Sequence, residues 1–403
     1  MNVEYAKKIR WAYLALGVVL LLCLGLIYAW SVFRAPLEAE FGWSKAQTSV
    51  TFSVSMTMFC LGGLASGVIT GKKGPRFTLA LCAACLLVGF AAASRINSLP
   101  GIYVTYGGFC GFGVGLGYNA AISTLMRWFP DKQGLVSGIT LMGFGFGGML
   151  LGTLGASLIT ALGWRSTFLV FAVDFAVIML AGALLLRPAD HAFTEAMGTD
   201  EKKREAAEEI SWRDMLRRRN FWLCFIWAVI LSAAGLAIIN EATTFAAVFV
   251  GGDLTRAAAL AGLVSIANGV GRVISGQLFD AAGYRTAMLS ISAVYVAASA
   301  VLTAAWRTGS VPVLTAAFLL TGLAYGGVPP TNSAFVADFF GRKHYALNFS
   351  LINLNLIAAS CLGPLCGGQS YPGIFTAILA FALAGAVLTL LVKRPAQGGE
   401  RTV

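Results

Sequence analysis

The sequence predicts an all-α membrane protein with twelve transmembrane helices in two pseudo-symmetric halves of six. Of its 403 residues, 58% are hydrophobic and only 12% are charged, which is too little charge for a soluble domain. Several uncharged runs are long enough to cross a bilayer once or twice. A loop motif from the first half of the chain also recurs in the second half.

Hydropathy places the twelve spans, with boundaries accurate to a few residues. They lie at about 11–33, 47–70, 77–95, 100–126, 134–162, 166–187, 220–243, 257–279, 286–305, 311–337, 345–367 and 374–392. The uncharged run from Tyr345 to Val392 must contain two spans, separated by the segment from Gly368 to Gly373. The N-terminal apolar run is too long for a cleaved signal peptide, so we expect it to be the first span.

The only long polar segment, from Pro188 to Arg219, divides the chain. We expect a six-helix half at 1–188, a linker at 189–219 and a second six-helix half at 220–403. The later part of the linker, from Glu208 to Arg219, has the charge pattern of an amphipathic helix on the inner membrane surface.

The distribution of basic residues predicts the orientation. If both termini are cytoplasmic, 22 of the 29 Lys and Arg residues lie inside and six lie outside. We therefore expect a multi-pass protein of a plasma membrane, of the bacterial inner-membrane type, with both termini cytoplasmic. The net charge of +11 follows from this bias. It indicates contact with anionic lipid and gives no reason to expect a nucleic-acid partner.

Two loops share the spacing G-x-x-x-z-x-x-G-x-R at an offset of 209 residues. The first copy contains Gly67, Gly74 and Arg76, and the second contains Gly276, Asp280, Gly283 and Arg285. The fourth and tenth spans also match, since Gly-Leu-x-Tyr ends at Tyr118 in one and at Tyr325 in the other. Internal repeats of this size are typical of transporters whose halves move around a site near the bilayer midplane.

Arg272 is a permanent charge inside the apolar run of the predicted eighth span. Placing it near the bilayer centre costs at least about 2.5–3.5 kcal/mol unless it faces water, a partner or an anion. The adjacent turns carry no carboxylate. Arg272 is therefore either an anion-binding residue or a structural residue paired with a carboxylate from another helix. Asn268, one turn earlier, would contact the substrate or hold the guanidinium.

The loop Gly276–Arg285 resembles the signature of the major facilitator superfamily. The stretch Tyr28-Ala-Trp30-Ser-Val-Phe33 and the spacing Asn268-x-x-Gly271-Arg272 are similar to the oxalate:formate antiporters and their monocarboxylate-transporter relatives. The resemblance implies that Arg272 pairs with a substrate carboxylate and that Tyr118 and Tyr325 face the central cavity. Tyr28 would close its outer side or belong to the interfacial aromatic belt. It also implies a protein that works as a monomer.

The first-half copy of the loop motif departs from the family pattern. Gly71 stands where the motif has Asp, and Pro75 stands where it has a basic residue. This departure argues against a charge-based gate at that loop and leaves the predicted fold unchanged.

The predicted eleventh span bears on the charge of the substrate. The family's oxalate transporter has a Lys on this helix that helps to hold a dianion, and Asn355 lies at or beside the matching position. No Lys or Arg occurs between Tyr345 and Val392. One fixed cation balances one carboxylate, and an uncompensated second charge is costly in a cavity of low dielectric constant. The sequence therefore predicts a monocarboxylate.

Two carboxylates inside predicted spans are candidates for a proton-carrying role. Glu241 lies near the outer end of the seventh span, where the alternatives are a hydrated interfacial residue and a partner of Arg272 in the empty state. Asp174 lies within the sixth span, where a polar packing contact is the alternative. Animal monocarboxylate transporters commonly carry an Asp one turn before the Arg of the eighth helix. Here that position is Asn268, which argues against proton coupling through this pair.

No phosphate-binding loop, catalytic triad or metal-ligand cluster is present in the sequence, so we expect no enzyme, no cofactor and no metal. The function predicted is secondary active transport of a small monocarboxylate anion such as lactate, pyruvate or formate, by alternating access and with proton coupling. Three alternatives stay open: anion exchange of the oxalate:formate type, export of a drug or cation on the same fold, and a membrane sensor without flux.

Overall fold

A computed structural model describes residues 3–189, 209–252, 254–366 and 370–394. In these ranges the regular structure is helical and contains no strand. The helices are α1 (Val3–Leu24), α2 (Trp30–Phe41), α3 (Lys45–Ala93), α4 (Leu99–Ile102), α5 (Gly111–Trp128), α6 (Gln133–Leu185), α7 (Trp212–Arg217), α8 (Arg219–Phe249), α9 (Leu254–Thr308), α10 (Val311–Phe340), α11 (Tyr345–Asn353), α12 (Asn355–Cys366) and α13 (Tyr371–Leu391). A 3₁₀ turn, Gly25–Ala29, precedes α2, and a π-helical turn, Tyr103–Cys110, precedes α5.

Eight helices in the described ranges are long and apolar enough to cross a membrane. The stretches in α3, α6 and α9 reach 44, 53 and 50 residues, where one span needs about 20. Each of these helices breaks at a glycine with a φ of 78–83°, namely Gly74, Gly163 and Gly283. Side chains other than glycine rarely adopt this backbone conformation. Each long helix is therefore long enough for two spans, and α11 and α12 lie in the predicted eleventh span. The predicted all-α membrane fold is confirmed.

The chain forms two compact units. Unit 1 contains Met1–Trp128, Ile139–Asp190 and Phe349–Ile357, and unit 2 contains Phe129–Gly138, His191–Asn348 and Ala358–Val403. Each unit thus includes a short segment from the other half of the sequence. The six-helix halves expected at 1–188 and 220–403 stay a prediction, and residues 190–208 of the predicted linker lie outside the described part of the chain.

Unit 1 has an aromatic core between α2, the π-helical turn and the second half of α6. The rings of Phe33 and Phe168 stack with centroids 4.6 Å apart, and those of Trp30 and Tyr106 lie 4.5 Å apart. The indole N–H of Trp30 also donates to the backbone oxygen of Thr48 at 3.0 Å. This hydrogen bond joins α2 to α3 and satisfies a polar group inside the core.

Unit 2 is built around α9, which packs against α8, α10 and α13. Two buried hydroxyl groups join its second half to neighbouring helices. Tyr295 donates to the backbone oxygen of Leu231 at 2.9 Å, and Ser299 donates to that of Phe375 at 2.8 Å. These bonds fix the second half of α9, while the first half carries Arg272.

Candidate substrate-binding site

Arg272 lies in the first half of α9, inside an apolar stretch long enough to span a membrane, and only 3% of its surface is exposed. Its Nε donates to Oδ1 of Asn268 at 3.2 Å. The two side chains are one helical turn apart, so the contact predicted from their spacing is present. Because Nε is hydrogen-bonded to a residue of the same helix, the guanidinium plane has a defined orientation.

The backbone around Arg272 is held closely by α10. A Cβ atom added to Gly326 would collide with the backbone oxygen of Asn268, and one added to Gly322 would collide with that of Val264. In the reverse direction, Gly271 leaves no room for a Cβ beside the backbone oxygen of Leu323. Small residues at such positions let membrane helices approach closely, which fixes where Asn268 and Arg272 sit along α9.

The first residues of α6, which belong to the same unit, hold α9 from another side. Gly134 and Gly276 meet so closely that a Cβ on either would clash with the backbone oxygen of the other. A Cβ on Gly138 would lie 2.5 Å from the backbone oxygen of Arg272. The glycines of α6 therefore place its first two turns against the segment that carries the buried guanidinium.

Asp280 completes this contact between α6 and α9. Its two carboxylate oxygens accept hydrogen bonds from the backbone N–H groups of Gly134 and Leu135, both at 2.8 Å. The first N–H groups of a helix have no partner within the helix, and its N-terminal end carries partial positive charge. The motif carboxylate thus caps α6 two turns along α9 from Arg272.

The other residues of the two loop motifs break helices, lie at the surface or pack inside α3. Gly74 and Gly283 provide the breaks in α3 and α9 described above. Arg285 is exposed, and Nη2 of Arg76 lies 3.5 Å from the backbone oxygen of Leu184. Gly67 is buried in α3.

Tyr325 lies in unit 2 on α10 and is 5% exposed. Its ring packs on Gly235 of α8, where a Cβ would lie 2.5 Å from Cγ of the ring. The next residue, Gly326, is the one that meets the backbone of Asn268. Unit 2 therefore holds Arg272, Asn268 and Tyr325 on two helices in direct contact.

Tyr118 and Asn355 lie in unit 1. The Tyr118 ring is 5.0 Å from the rings of both Phe59 and Phe144, measured between centroids, and it stacks on Phe349 at 6.2 Å. Asn355 is buried at the first position of α12, and its Nδ2 donates to the backbone oxygen of Ile352 at 2.6 Å. Its side chain thus bonds across the turn at residue 354, where α11 ends and α12 begins.

The remaining candidates occupy different surroundings. The backbone of Tyr28 lies in the 3₁₀ turn, and its side chain lies outside the described part of the structure. Glu241 is exposed on α8. Asp174 is exposed on α6, on the same side as Val173 and Val177, which are also exposed. Asp174 therefore shares an outward apolar face of its helix.

Sequence reasoning missed a polar cluster in unit 1. Asn119 is 2% exposed, and its Nδ2 donates to the backbone oxygen of Gly63 at 2.8 Å and to the hydroxyl oxygen of Ser350. The Ser350 hydroxyl in turn donates to the same oxygen of Gly63 at 2.7 Å. An amide side chain directly after Tyr118 in an apolar span was the signal that could have found this cluster.

Comparison with known proteins decides the family. The model of the Major Facilitator Superfamily matches residues 15–298 and 250–402. The chain belongs to the major facilitator superfamily. It is 28% identical over 403 residues to the oxalate:formate antiporter of Oxalobacter formigenes, covering 96% of this chain and 92% of that protein. It is 25% identical over 370 residues to monocarboxylate transporter 13 of Bos taurus, covering 91% and 84%.

The fold of this superfamily member also matches solved structures. A proton:xylose symporter aligns with a TM-score of 0.72 at 14% identity, over 96% of each chain. At that identity the likeness shows the fold alone. The predicted superfamily resemblance and the predicted major facilitator fold are both confirmed. The chain is a multi-pass membrane protein.

Proposed function

We propose that this protein is a secondary active transporter of small monocarboxylate anions of the lactate, pyruvate or formate type. The observation that carries the proposal is Arg272, a permanent cation 3% exposed inside a membrane span and oriented by Asn268. A guanidinium binds a carboxylate through two parallel N–H donors, which fixes the orientation of the anion as well as its charge. Two relatives, an oxalate:formate antiporter and a monocarboxylate transporter, carry the names of small carboxylates.

The charges of the sequence favour one carboxylate over two. Arg272 is a single fixed cation, and the chain from Tyr345 to Val392 carries no Lys or Arg. A dianion bound at Arg272 would leave one charge uncompensated in surroundings of low dielectric constant. The buried amide of Asn355 can donate to an oxygen atom, but it cannot balance a charge.

Transport follows from differential binding. Anion binding neutralises Arg272, and a ligand shifts a conformational equilibrium only by its different affinity for the two states. A carboxylate that binds most tightly when the site is occluded therefore lowers the barrier to reorientation of the loaded carrier. Proton coupling is proposed, with Glu241 and Asp174 as candidate carriers. We also propose that the protein lies in a bacterial inner membrane with both termini in the cytoplasm. It is proposed to work as a monomer.

Counterflow in proteoliposomes tests the proposal. Vesicles loaded with unlabelled L-lactate receive labelled L-lactate outside, with wild type, Arg272→Gln and Arg307→Gln compared. Arg307 lies exposed at the end of the same helix, so it controls for loss of an arginine charge. Uptake by wild type and Arg307→Gln but not by a folded Arg272→Gln supports the proposal. Uptake by all three proteins would show that Arg272 is not the anion-binding residue. If none of the three takes up lactate, lactate is excluded as a substrate, and pyruvate and formate are tested next.

Anion exchange is the second candidate, and the similarity to an oxalate:formate antiporter over 96% of the chain favours it. An exchanger needs an anion on the opposite side of the membrane, whereas a proton symporter needs only a proton gradient. Uptake into vesicles without internal anion, driven by an inward proton gradient, therefore distinguishes the two.

A further inference from the structure

A cavity with a basic lining lies in unit 2, between the beginning of α8 and the end of α13. It has a volume of about 280 Å³. Four basic side chains line it: Arg218, Arg219, Lys393 and Arg394. Among the described residues that line the cavity, none carries negative charge.

The backbone that presents these cations is fixed. Nδ2 of Asn220 donates to the backbone oxygen of Lys393 at 2.7 Å, which joins the start of α8 to the residues after α13. Nη2 of Arg394 pairs with the Asp338 carboxylate at 2.8 and 3.0 Å, which joins the same residues to α10. The hydroxyl of Tyr284 donates to the backbone oxygen of Val392 at 3.2 Å. The cavity is thus a built feature of the fold.

The beginning of α8 adds a second attraction for anions. This helix is 31 residues long, and its N-cap residue, Arg218, makes no side-chain capping hydrogen bond. The N-terminal end of a helix carries partial positive charge and backbone N–H donors, which together favour a bound anion. Arg218 and Arg219, at this N-terminal end, both line the cavity.

The floor and surroundings of the cavity are apolar, which argues against a soluble anion. Buried Phe339 and Phe340 line it from α10. Exposed Leu391 lines its edge and continues an exposed apolar face along α13. That face consists of Leu379, Leu383, Val387, Leu390 and Leu391. Such a face lies against acyl chains in a membrane.

Two tryptophans place the cavity at the depth of the lipid headgroups. Trp212 on α7 and Trp222 on α8 are exposed, and the indole N–H of Trp222 donates to the backbone oxygen of Leu216 at 2.8 Å. Tryptophans concentrate at the membrane–water interface, where one side of the ring is apolar and the other is polar. Both flank the start of α8, which forms one wall of the cavity.

We propose that this cavity binds the phosphodiester headgroup of an anionic phospholipid, whose acyl chains lie along the exposed face of α13. Basic pockets between transmembrane helices are suited to anionic headgroups. The proposal is independent of the transported substrate, since it uses no residue of the Arg272 site.

The test is lipid titration of the purified full-length protein in detergent, with bound lipid counted by native mass spectrometry. Phosphatidylglycerol is compared with phosphatidylcholine for wild type and for Arg219→Gln/Lys393→Gln, which leaves the Arg394–Asp338 pair intact. Lys72→Gln/Lys73→Gln removes the same charge from two exposed lysines of another loop and is the matched control. The single variant Arg219→Gln provides an intermediate step, and retention of the wild-type melting temperature in phosphatidylcholine shows that each variant is folded.

We expect wild type and the control to bind phosphatidylglycerol at least about tenfold more tightly than phosphatidylcholine, equivalent to about 1.4 kcal/mol. The double variant should lose most of this preference. Equal loss in the control would show unspecific charge attraction and overturn the proposal. Equal binding of both lipids by wild type, or displacement of phosphatidylglycerol by millimolar inorganic phosphate, would overturn it as well.

Discussion

The Asp280 carboxylate caps the helix that begins beside Gly134, with both carboxylate oxygens 2.8 Å from backbone nitrogens. The two residues are 146 positions apart in the sequence. In unit 1, the segment Phe349–Ile357 is held by neutral groups, through Ser350 and Asn119. Unit 2 therefore holds its segment from the first half of the sequence, Phe129–Gly138, with a charged carboxylate. Unit 1 holds its segment from the second half, Phe349–Ile357, with uncharged hydrogen-bonding groups.

Replacing the capping carboxylate should weaken the start of α6. Asp280→Ala removes both acceptors, and loss of a helix cap costs about 0.5–2 kcal/mol. Asp280→Asn keeps one acceptor oxygen and should cost less. Thermal unfolding of the purified protein measures the difference, and equal melting temperatures for Asp280→Ala and wild type would contradict a capping role.

The close contact between α6 and α9 should not tolerate a methyl group. Gly276→Ala places Cβ against the backbone oxygen of Gly134, and overpacking of this kind costs about 1–3 kcal/mol. Gly71→Ala is the control, since a Cβ there meets open space within a helix. We expect Gly276→Ala to lower the melting temperature and the transport rate, while Gly71→Ala leaves both unchanged or raises stability. If Gly276→Ala changed neither the melting temperature nor the transport rate, the close contact between α6 and α9 would be contradicted.

Asn268 should act through Arg272. Asn268→Ala leaves the guanidinium less well oriented, so the KM for the carboxylate should rise about tenfold, the loss expected for one hydrogen bond to a charged group. Asn268→Asp places an anion beside the guanidinium, where it competes with the substrate, and should reduce uptake further at neutral pH. Initial rates of uptake against substrate concentration measure both effects. An unchanged KM in both variants would exclude Asn268 from the site.

The polar cluster of unit 1 should show energetic coupling. Asn119→Ala and Ser350→Ala each remove two hydrogen bonds from this buried cluster, each worth about 0.5–1.5 kcal/mol, while the Gly63 oxygen keeps one donor in either variant. Because the two side chains share a hydrogen bond, the double variant should cost less than the sum of the single variants. Ser123→Ala is the control, since within the described part of the chain this buried hydroxyl bonds only to the backbone oxygen of Ala120, one turn earlier in its own helix. Additive costs for Asn119 and Ser350 would contradict the cluster.

Glu40 should stabilise the contact between α2 and α6 in a pH-dependent way. Hydrogen bonds from the Trp164 indole at 2.6 Å and from Arg165 at 2.8 Å lower the pKa of its carboxyl group from the ordinary value of 4.5. A lowered pKa in the folded state stabilises the protein above the unfolded-state pKa, and this gain disappears as pH falls through the folded-state pKa. The difference in melting temperature between wild type and Glu40→Gln should therefore be present at pH 7 and shrink below pH ~4. A difference that grew at acid pH would contradict this assignment.

Much of the fold could be predicted from the sequence because hydropathy and glycine spacing are local properties. Uncharged runs gave the spans, and the repeated loop motif located Gly74 and Gly283, where α3 and α9 break. The cost of a membrane-buried charge singled out Arg272, and helical periodicity placed Asn268 beside it. Apart from the comparison of the two loop copies, each of these inferences needed only residues within a few turns of one another.

The tertiary structure decided which distant residues meet. No local pattern connects Asn119 with Ser350, 231 positions later, or shows that Asp280 caps α6. Likewise, Arg219 and Lys393 line the same cavity, and the hydrogen bond from Asn220 to the backbone oxygen of Lys393 brings their two segments together. The sequence by itself determined which segments cross the membrane and where a charge is costly, since these depend on contiguous residues. Only the folded chain determined the partners of these groups, because a hydrogen bond needs two atoms within about 3 Å and helix packing sets that distance.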